Sequence, residues 1–213
     1  MTPHATRLPV QFQGSRLARK LLQWAGWTVH FEGFPTLQGV IVGYPHTSNW
    51  DFVLMVLVKW ATGLQVKFLA KDSLFRYPLF SRWLRHLGGV PIDRSAAHGV
   101  VAELVRMMRE EQAQQRYFWL ALSPEGTRKR TEGWKSGFYQ VAVQTGVPVC
   151  LLRIDYGQQR VDFRQIVQLS GDLANDYARI AAAYEGVQGF HVAQAAPIRP
   201  LTQPGSVSEG SAP

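Results

Sequence analysis

Cysteine is almost absent from this chain of 213 residues, and the single thiol, Cys150, excludes both a disulfide-framed secreted fold and a zinc site built from cysteines. Histidine does not make up the loss. His4, His30, His46, His86, His98 and His191 show no i, i+4 pairing and sit beside no carboxylate cluster, so no bound metal is expected. Long apolar runs are missing too. The longest, Phe52 to Val58, closes at Lys59 and falls far short of the roughly 18 to 20 residues that cross a bilayer core. No apolar stretch with a small-residue cleavage site marks the N-terminus as a signal peptide. Acidic side chains are scarce, 15 against 23 Lys and Arg, for a formal charge of +8. That balance calls for an anionic partner: nucleic acid, a phosphorylated small molecule or the inner leaflet of a membrane.

What is present narrows the choice. A hydrophobic fraction of 46% over this length supports one domain with its own core. Seven Trp, 7 Tyr and 11 Phe accompany the basic residues, a mixture that suits a bilayer interface, so a peripheral protein on the cytoplasmic face of the membrane is expected. Residues 1–14 read as an extension. Residues 15–30 read as a basic amphipathic helix, with Leu17, Ala18, Leu21, Leu22, Trp24, Ala25 and Val29 opposite Arg16, Arg19 and Gln23. Such a helix either lies in the headgroup plane or covers the core, and the pattern fits both.

Over 31–196, β-rich runs alternate with helical periods: strands near 39–44, 65–70, 88–92, 117–122 and 147–154, helices near 50–61, 73–86, 97–115 and 136–145, then a strand near 161–168 and a helix near 172–185. The expected fold class is α/β: a single domain with a largely parallel central sheet flanked by helices, active residues gathering at the carboxyl ends of strands. Residues 197–213, rich in Pro, Gly and Ser, read as a disordered tail.

Four segments stand out. In the first, the strand ending at Tyr44 runs through Pro45 into His46-Thr47-Ser48-Asn49-Trp50-Asp51. On one continuous helix, residues five apart point about 140° away from each other, so His46 and Asp51 meet only if His46 lies in the turn before the helix. Thr47, Ser48 and Asn49 are all N-cap residues and supply that break. With Ser48 as N-cap, Asp51 falls at N3, where its carboxylate reaches back toward the imidazole. One reading is a base oriented by a carboxylate; the other is a capping box beside a loop histidine. The second segment, Ser123-Pro124-Glu125-Gly126-Thr127-Arg128, follows an apolar strand and continues into Lys129 and Arg130. Glycine permits close backbone approach, and hydroxyl and guanidinium groups suit phosphate oxygens, although Pro124-Glu125-Gly126 is also an ordinary turn. In the third, Gly88-Gly89-Val90-Pro91-Ile92-Asp93-Arg94, Arg94 either meets a phosphate or pairs with Asp93. The fourth, Gly146 to Leu151, reads as core strand without chemistry.

In that order, over roughly residues 39–152, the segments resemble the glycerophospholipid acyltransferase family, in particular bacterial 1-acylglycerol-3-phosphate acyltransferases. The first motif of that family, His, four residues and Asp, is matched by His46 and Asp51; its second by Gly89 and Ile92-Asp93-Arg94; its third by Pro124-Glu125-Gly126-Thr127-Arg128; its fourth, loosely, by Val147-Pro148-Val149. Ser123 replaces the usual Phe, and Lys129 stands where Ser is common. No hydrophobic span precedes the first motif as it does in many relatives, and the 15–29 helix is expected to take over anchoring.

The resemblance implies transfer of a fatty acyl group from acyl-CoA or acyl-carrier-protein to a lysophospholipid hydroxyl, most simply that of 1-acylglycerol-3-phosphate, with no cofactor. It implies His46 as general base, Asp51 as its orienting carboxylate, and Glu125, Gly126, Thr127, Arg128, Arg94 and Lys135 around the acceptor. The sequence agrees that no covalent acyl-enzyme forms, because Ala121 and Glu125 stand where a Gly-x-Ser-x-Gly elbow around Ser123 needs glycines. Backbone N–H groups at the start of the helix after His46 are the expected oxyanion donors. A hydrolase using the same His–Asp pair on water is the rival enzyme. A non-catalytic module for nucleic acid or anionic membrane is the rival from another class; against nucleic acid, no zinc-finger spacing or RNA-recognition strand is present.

Overall fold

The computed structural model describes residues 10–92 and 97–201. Within them the strands are β1 (Thr28–His30), β2 (Gln38–Tyr44), β3 (Lys67–Lys71), β4 (Gly89–Ile92), β5 (Phe118–Leu122), β6 (Val149–Asp155), β7 (Arg160–Asp162) and β8 (Ile166–Val167). The helices are α1 (Arg16–Trp24), α2 (Trp50–Thr62), α3 (Pro78–Leu87), α4 (Ala97–Ala113), α5 (Gly137–Thr145) and α6 (Leu173–Ala183).

The strands form one sheet in the order β1-β7-β6-β2-β5-β3-β4, with β8 also on β6. From β6 to β4 every pairing is parallel; β7 and β8 lie antiparallel on β6, and β1 runs parallel to β7. The expected largely parallel sheet is therefore present. Buried on both faces, β2 reads as a continuous apolar run because successive side chains serve opposite cores. Val40 and Val42 join Leu120, Trp134, Phe138 and Ile180 on one side, and Ile41 joins Trp119, Leu54 and Val58 on the other.

Three expectations are corrected by local chemistry. The first helix ends at Trp24 rather than near residue 29. Gly26 turns the chain at φ +79°, where a side chain is strained, and Val29 then joins β1. The helix expected over 73–86 is cut at Pro78, whose ring holds Tyr77 in an extended conformation, leaving a 3-10 turn over Asp72–Arg76 ahead of α3. The strand near 161–168 is divided into β7 and β8.

The boundary of the tail also moves. Residues 197–201 are packed: Trp134 N–H donates to Arg199 O at 2.8 Å, Leu201 N–H returns a bond to Trp134 O at 2.8 Å, and Ile198 rests on the core around the fully buried Trp134. A buried indole with a backbone edge needs a partner strand, and Pro200 supplies it where its missing N–H is not required. The rest of the expected tail, and most of the expected 1–14 extension, lie outside the described residues.

Helix α1 covers the core with one face and leaves apolar side chains on the other. Ala18 and Leu22 are buried against α2, while Leu17, Leu21 and Trp24 face outward, Trp24 with 89% of its surface exposed. Ser15 N–H donates to Trp60 O at 2.7 Å at one end of the pair. At the other end Trp27 packs on Tyr156, which bonds Asp51 at the start of α2, so the two helices run antiparallel. Trp50, Val53 and Trp60 of α2 are exposed as well.

Candidate active site

Strands β5, β2 and β6 are adjacent and parallel, with Val42 opposite Leu122 and Tyr44 opposite Arg153. Their carboxyl ends deliver three loops to one edge of the sheet: Ser123 onward, His46 onward and Tyr156 onward. Crevices at that edge are where open α/β sheets hold their chemistry.

His46 lies in the turn before α2, as the spacing requires, and its Nδ1 is 3.0 Å from Asp51 Oδ2. The same oxygen accepts from Thr47 N–H and Ser48 N–H, both at 2.9 Å. Asp51 Oδ1 accepts from the Tyr156 hydroxyl at 2.8 Å. The cap differs from the one expected: Asn49, not Ser48, is the N-cap residue and makes no side-chain cap bond, so Asp51 falls at N2 and no capping box forms. The Asp51 carboxylate instead gathers the imidazole and the Thr47 and Ser48 N–H groups on one oxygen. The helix begins at Trp50, whose N–H is taken by Ser48 Oγ at 3.1 Å.

Burial to 2% exposure opposes the charge on Asp51, but donation from His46, Ser48 and Tyr156 outweighs it and holds the carboxyl below the ordinary value. With Asp51 ionised, Nδ1 carries the proton and donates. Nε2 remains as the proton acceptor, without a hydrogen-bond partner among the described residues, on a side chain 29% exposed.

Glu125 departs from its expected place at the acceptor. It is 1% exposed, and both oxygens are occupied: Oε2 by the His46 N–H at 2.7 Å and Oε1 by the Ala196 N–H at 2.9 Å. A buried carboxylate with both oxygens bonded to backbone is a brace for the His46 loop. Burial pushes its carboxyl above the ordinary value, and the two amide donors oppose that rise.

The remaining residues of that loop are open. Thr127 and Arg128 are exposed, and the Arg128 guanidinium bonds the Asn49 side chain, tying the second segment to the first. Gly126 has φ +66°, where a side chain is strained, and the Lys135 side chain lies 3.2 Å from where its Cβ would stand. Lys135 is itself exposed, and its N–H donates to Pro124 O at 2.9 Å. Arg94 lies outside the described residues.

A second correction concerns oxyanion donors. The N–H groups of His46, Thr47, Ser48 and Trp50 are all committed, to Glu125, Asp51, Asp51 and Ser48 respectively. The start of α2 therefore spends most of its donors on fixing the dyad.

Sequence reasoning missed the segment 188–196, which straps the two motif loops together. His191 N–H donates to Thr47 Oγ1 at 3.1 Å, Arg130 donates to Ala195 O at 3.0 Å, and the Tyr44 hydroxyl donates to Ala196 O at 3.0 Å. Burial and the nearby Glu125 charge push Tyr44 up to about 12, so this hydroxyl stays a donor at neutral pH. Tyr156 was missed as well: the strand expected near 147–154 stops short of it, and only the pairing of β6 with β2 brings it to Asp51. Cys150 is fully buried and its thiol is pushed up by burial, in keeping with its assignment to core.

Comparison with known proteins gives the following matches. The family model described as Acyltransferase matches residues 26–154. The chloroplastic 1-acyl-sn-glycerol-3-phosphate acyltransferase of Arabidopsis thaliana is 28% identical over 126 residues, 58% of this chain and 35% of that protein. That of Brassica napus is 30% identical over 107 residues, 49% of this chain and 30% of that protein. The chain thus spans about a third of the length of the curated relatives it matches. Among solved structures, the crystal structure of the 1-acyl-sn-glycerophosphate acyltransferase of Thermotoga maritima aligns with a TM-score of 0.49 at 19% identity, covering 79% of this chain and 73% of that one.

Proposed function

Because the chain belongs to the acyltransferase family, we propose that it transfers a fatty acyl group from the thioester of acyl-CoA or acyl-carrier-protein to a lysophospholipid hydroxyl, with 1-acylglycerol-3-phosphate as acceptor and phosphatidic acid as product. The observation that carries this reading is the His46–Asp51 pair, with Nδ1 held at 3.0 Å and Nε2 left to face a substrate. Nε2 takes the proton of the acceptor hydroxyl, the alkoxide oxygen attacks the thioester carbonyl, and collapse of the tetrahedral intermediate expels the thiolate, which the imidazolium proton neutralises. The scheme needs no cofactor and no enzyme nucleophile.

Arg128, Thr127 and Lys135 would meet the acceptor's phosphate, with the Gly126 turn letting them converge, and Arg94 is assigned to the same anion. Glu125 contributes by bracing the His46 backbone instead of touching substrate. The test is an acceptor screen with one long-chain acyl-CoA and mass-spectrometric readout. A phosphorylated lysolipid should be acylated in preference to its unphosphorylated counterpart. Arg128→Ala should raise the KM for that acceptor by on the order of ten- to a hundredfold, the loss of a charged hydrogen bond, and leave the donor KM alone. Thioester hydrolysis undiminished by any acceptor would favour the hydrolase instead.

The lipid acceptor has to reach the dyad from a bilayer, and no helix among the described residues is long and apolar enough to cross one. The outward edge of α1, Leu17, Leu21 and Trp24, flanked by Arg16, Arg19 and Lys20, together with Trp50 of α2 beside Asp51, forms a surface for peripheral contact with anionic lipid. Replacing Leu17, Leu21 and Trp24 together by serine should lower co-sedimentation with vesicles of anionic phospholipid by on the order of tenfold, given the apolar area removed. Unchanged binding would sink this contact.

A further inference from the structure

The two oxygens of Asp51 are loaded unequally. Oδ2 accepts from three groups of its own loop, His46 Nδ1, Thr47 N–H and Ser48 N–H, whereas Oδ1 accepts from the hydroxyl of Tyr156, 105 positions further along the chain. Tyr156 lies just beyond the stretch that matches the family model, at the carboxyl end of β6. Its ring is held edge-on between Trp27, at 5.0 Å and 89°, and Phe190, at 5.3 Å and 82°. Its own N–H donates to Gln188 O at 2.8 Å, so backbone and ring are both fixed.

We propose that Tyr156 is a positioning residue of the reaction, its phenol locking the Asp51 carboxylate so that His46 keeps the tautomer and direction that proton removal needs. The proposal rests on the acyl-transfer reading above. A carboxylate with donors on only one oxygen is free to rock about its Cβ–Cγ bond, and each excursion carries Oδ2 away from Nδ1. A donor on the second oxygen, 2.8 Å away and anchored to a different strand, turns a hinge into a two-point clamp. The phenol suits this task because burial, the bond to Asp51 and the charge of Asp51 all push its pKa well above the ordinary phenol value, so it remains a donor. The clamp also couples the dyad to the strap, since Phe190 and Gln188 hold the ring and backbone of Tyr156 while His191 N–H holds Thr47 beside the imidazole.

Tyr156→Phe keeps the ring between Trp27 and Phe190 and removes only the donor. The expected result is a kcat lower by about ten- to a hundredfold, in the range that misplacing a catalytic group by a fraction of an ångström to an ångström produces, with the KM of donor and acceptor unchanged. In an Asp51→Asn background the same substitution should cost less than about twofold, because the group it positions is gone. A second readout does not depend on turnover: with ¹⁵N-labelled histidine, the Nδ1 proton resonance of His46 should shift or broaden in Tyr156→Phe. Wild-type kcat in the single variant, an equal loss in both backgrounds, or an unmoved Nδ1 resonance would overturn the proposal. A wild-type protein without transferase activity would sink the acyl-transfer reading instead, and the Nδ1 resonance would then still decide the positioning role.

Discussion

His46→Ala should lower kcat for acyl transfer by about 10²–10⁴-fold, the usual share of a general base, while KM for both substrates stays near wild type. The prediction is sharp because little else depends on the imidazole. The His46 backbone keeps its bond to Glu125, and Asp51 keeps Thr47 N–H, Ser48 N–H and the Tyr156 hydroxyl as donors. The carboxylate is not left buried and unpaired, so the variant should melt within a few degrees of wild type. Steady-state assays following thiol release, beside thermal melts, separate the two quantities. A variant that turns over within a few-fold of wild type would remove His46 from the chemistry and leave the pair with a structural role only.

Much of this arrangement was legible in the residues. Alternating apolar runs and helical periods yield the parallel sheet because strands buried on both faces are apolar through their centres, as β2 is over 39–44, β5 over 118–122 and β6 over 149–152. The placement of His46 ahead of the helix follows from spacing alone: five residues on one helix would separate the rings and carboxylate, and three N-cap side chains lie between them. What could not be read off was how each polar atom is occupied. Glu125 sits in a motif that looks open and basic, yet it is buried, because the strap around Ala196 closes over it with an N–H that only the folded chain supplies. The strap itself, 188–196, has no repeating pattern of polar and apolar residues; its bonds go to Thr47, Glu125 and Arg130, all distant in sequence. Tyr156 is likewise invisible until β6 is known to pair with β2.

The start of α2 is better suited to holding the dyad than to holding an oxyanion. Four N–H groups from His46 to Trp50 are spent on side-chain oxygens. In the proposed reaction, charge developing on a thioester oxygen would have to be met elsewhere, and a cation tied to this loop is Arg128, through Asn49. One guanidinium placed between the two motifs would serve acceptor binding and charge stabilisation together, and kcat as well as KM of Arg128→Ala reports on the division.

Asp51→Asn is expected to cost about as much as losing the base itself, roughly 10²–10⁴-fold in kcat, although it changes a single atom. Four donors converge on the carboxylate, and an amide has only one accepting oxygen. If that oxygen replaces Oδ2, His46 keeps its tautomer but the imidazolium formed during turnover loses its counter-charge. If the amide nitrogen faces Nδ1 instead, the imidazole must accept there and carry its proton on Nε2, and no base remains. The stability of the variant gives an independent check with a defined sign. Because donors hold the Asp51 carboxyl below its ordinary value, the wild-type carboxylate contributes stability that is fully present above about pH 4, the unfolded value, and is lost as pH falls through the lower folded value. The wild type should therefore exceed Asp51→Asn in urea midpoint at pH 7, and the gap should narrow on acidification below pH ~4. A gap that widens toward acid, or a turnover within tenfold of wild type, would mean that Asp51 is not the ionised partner of His46.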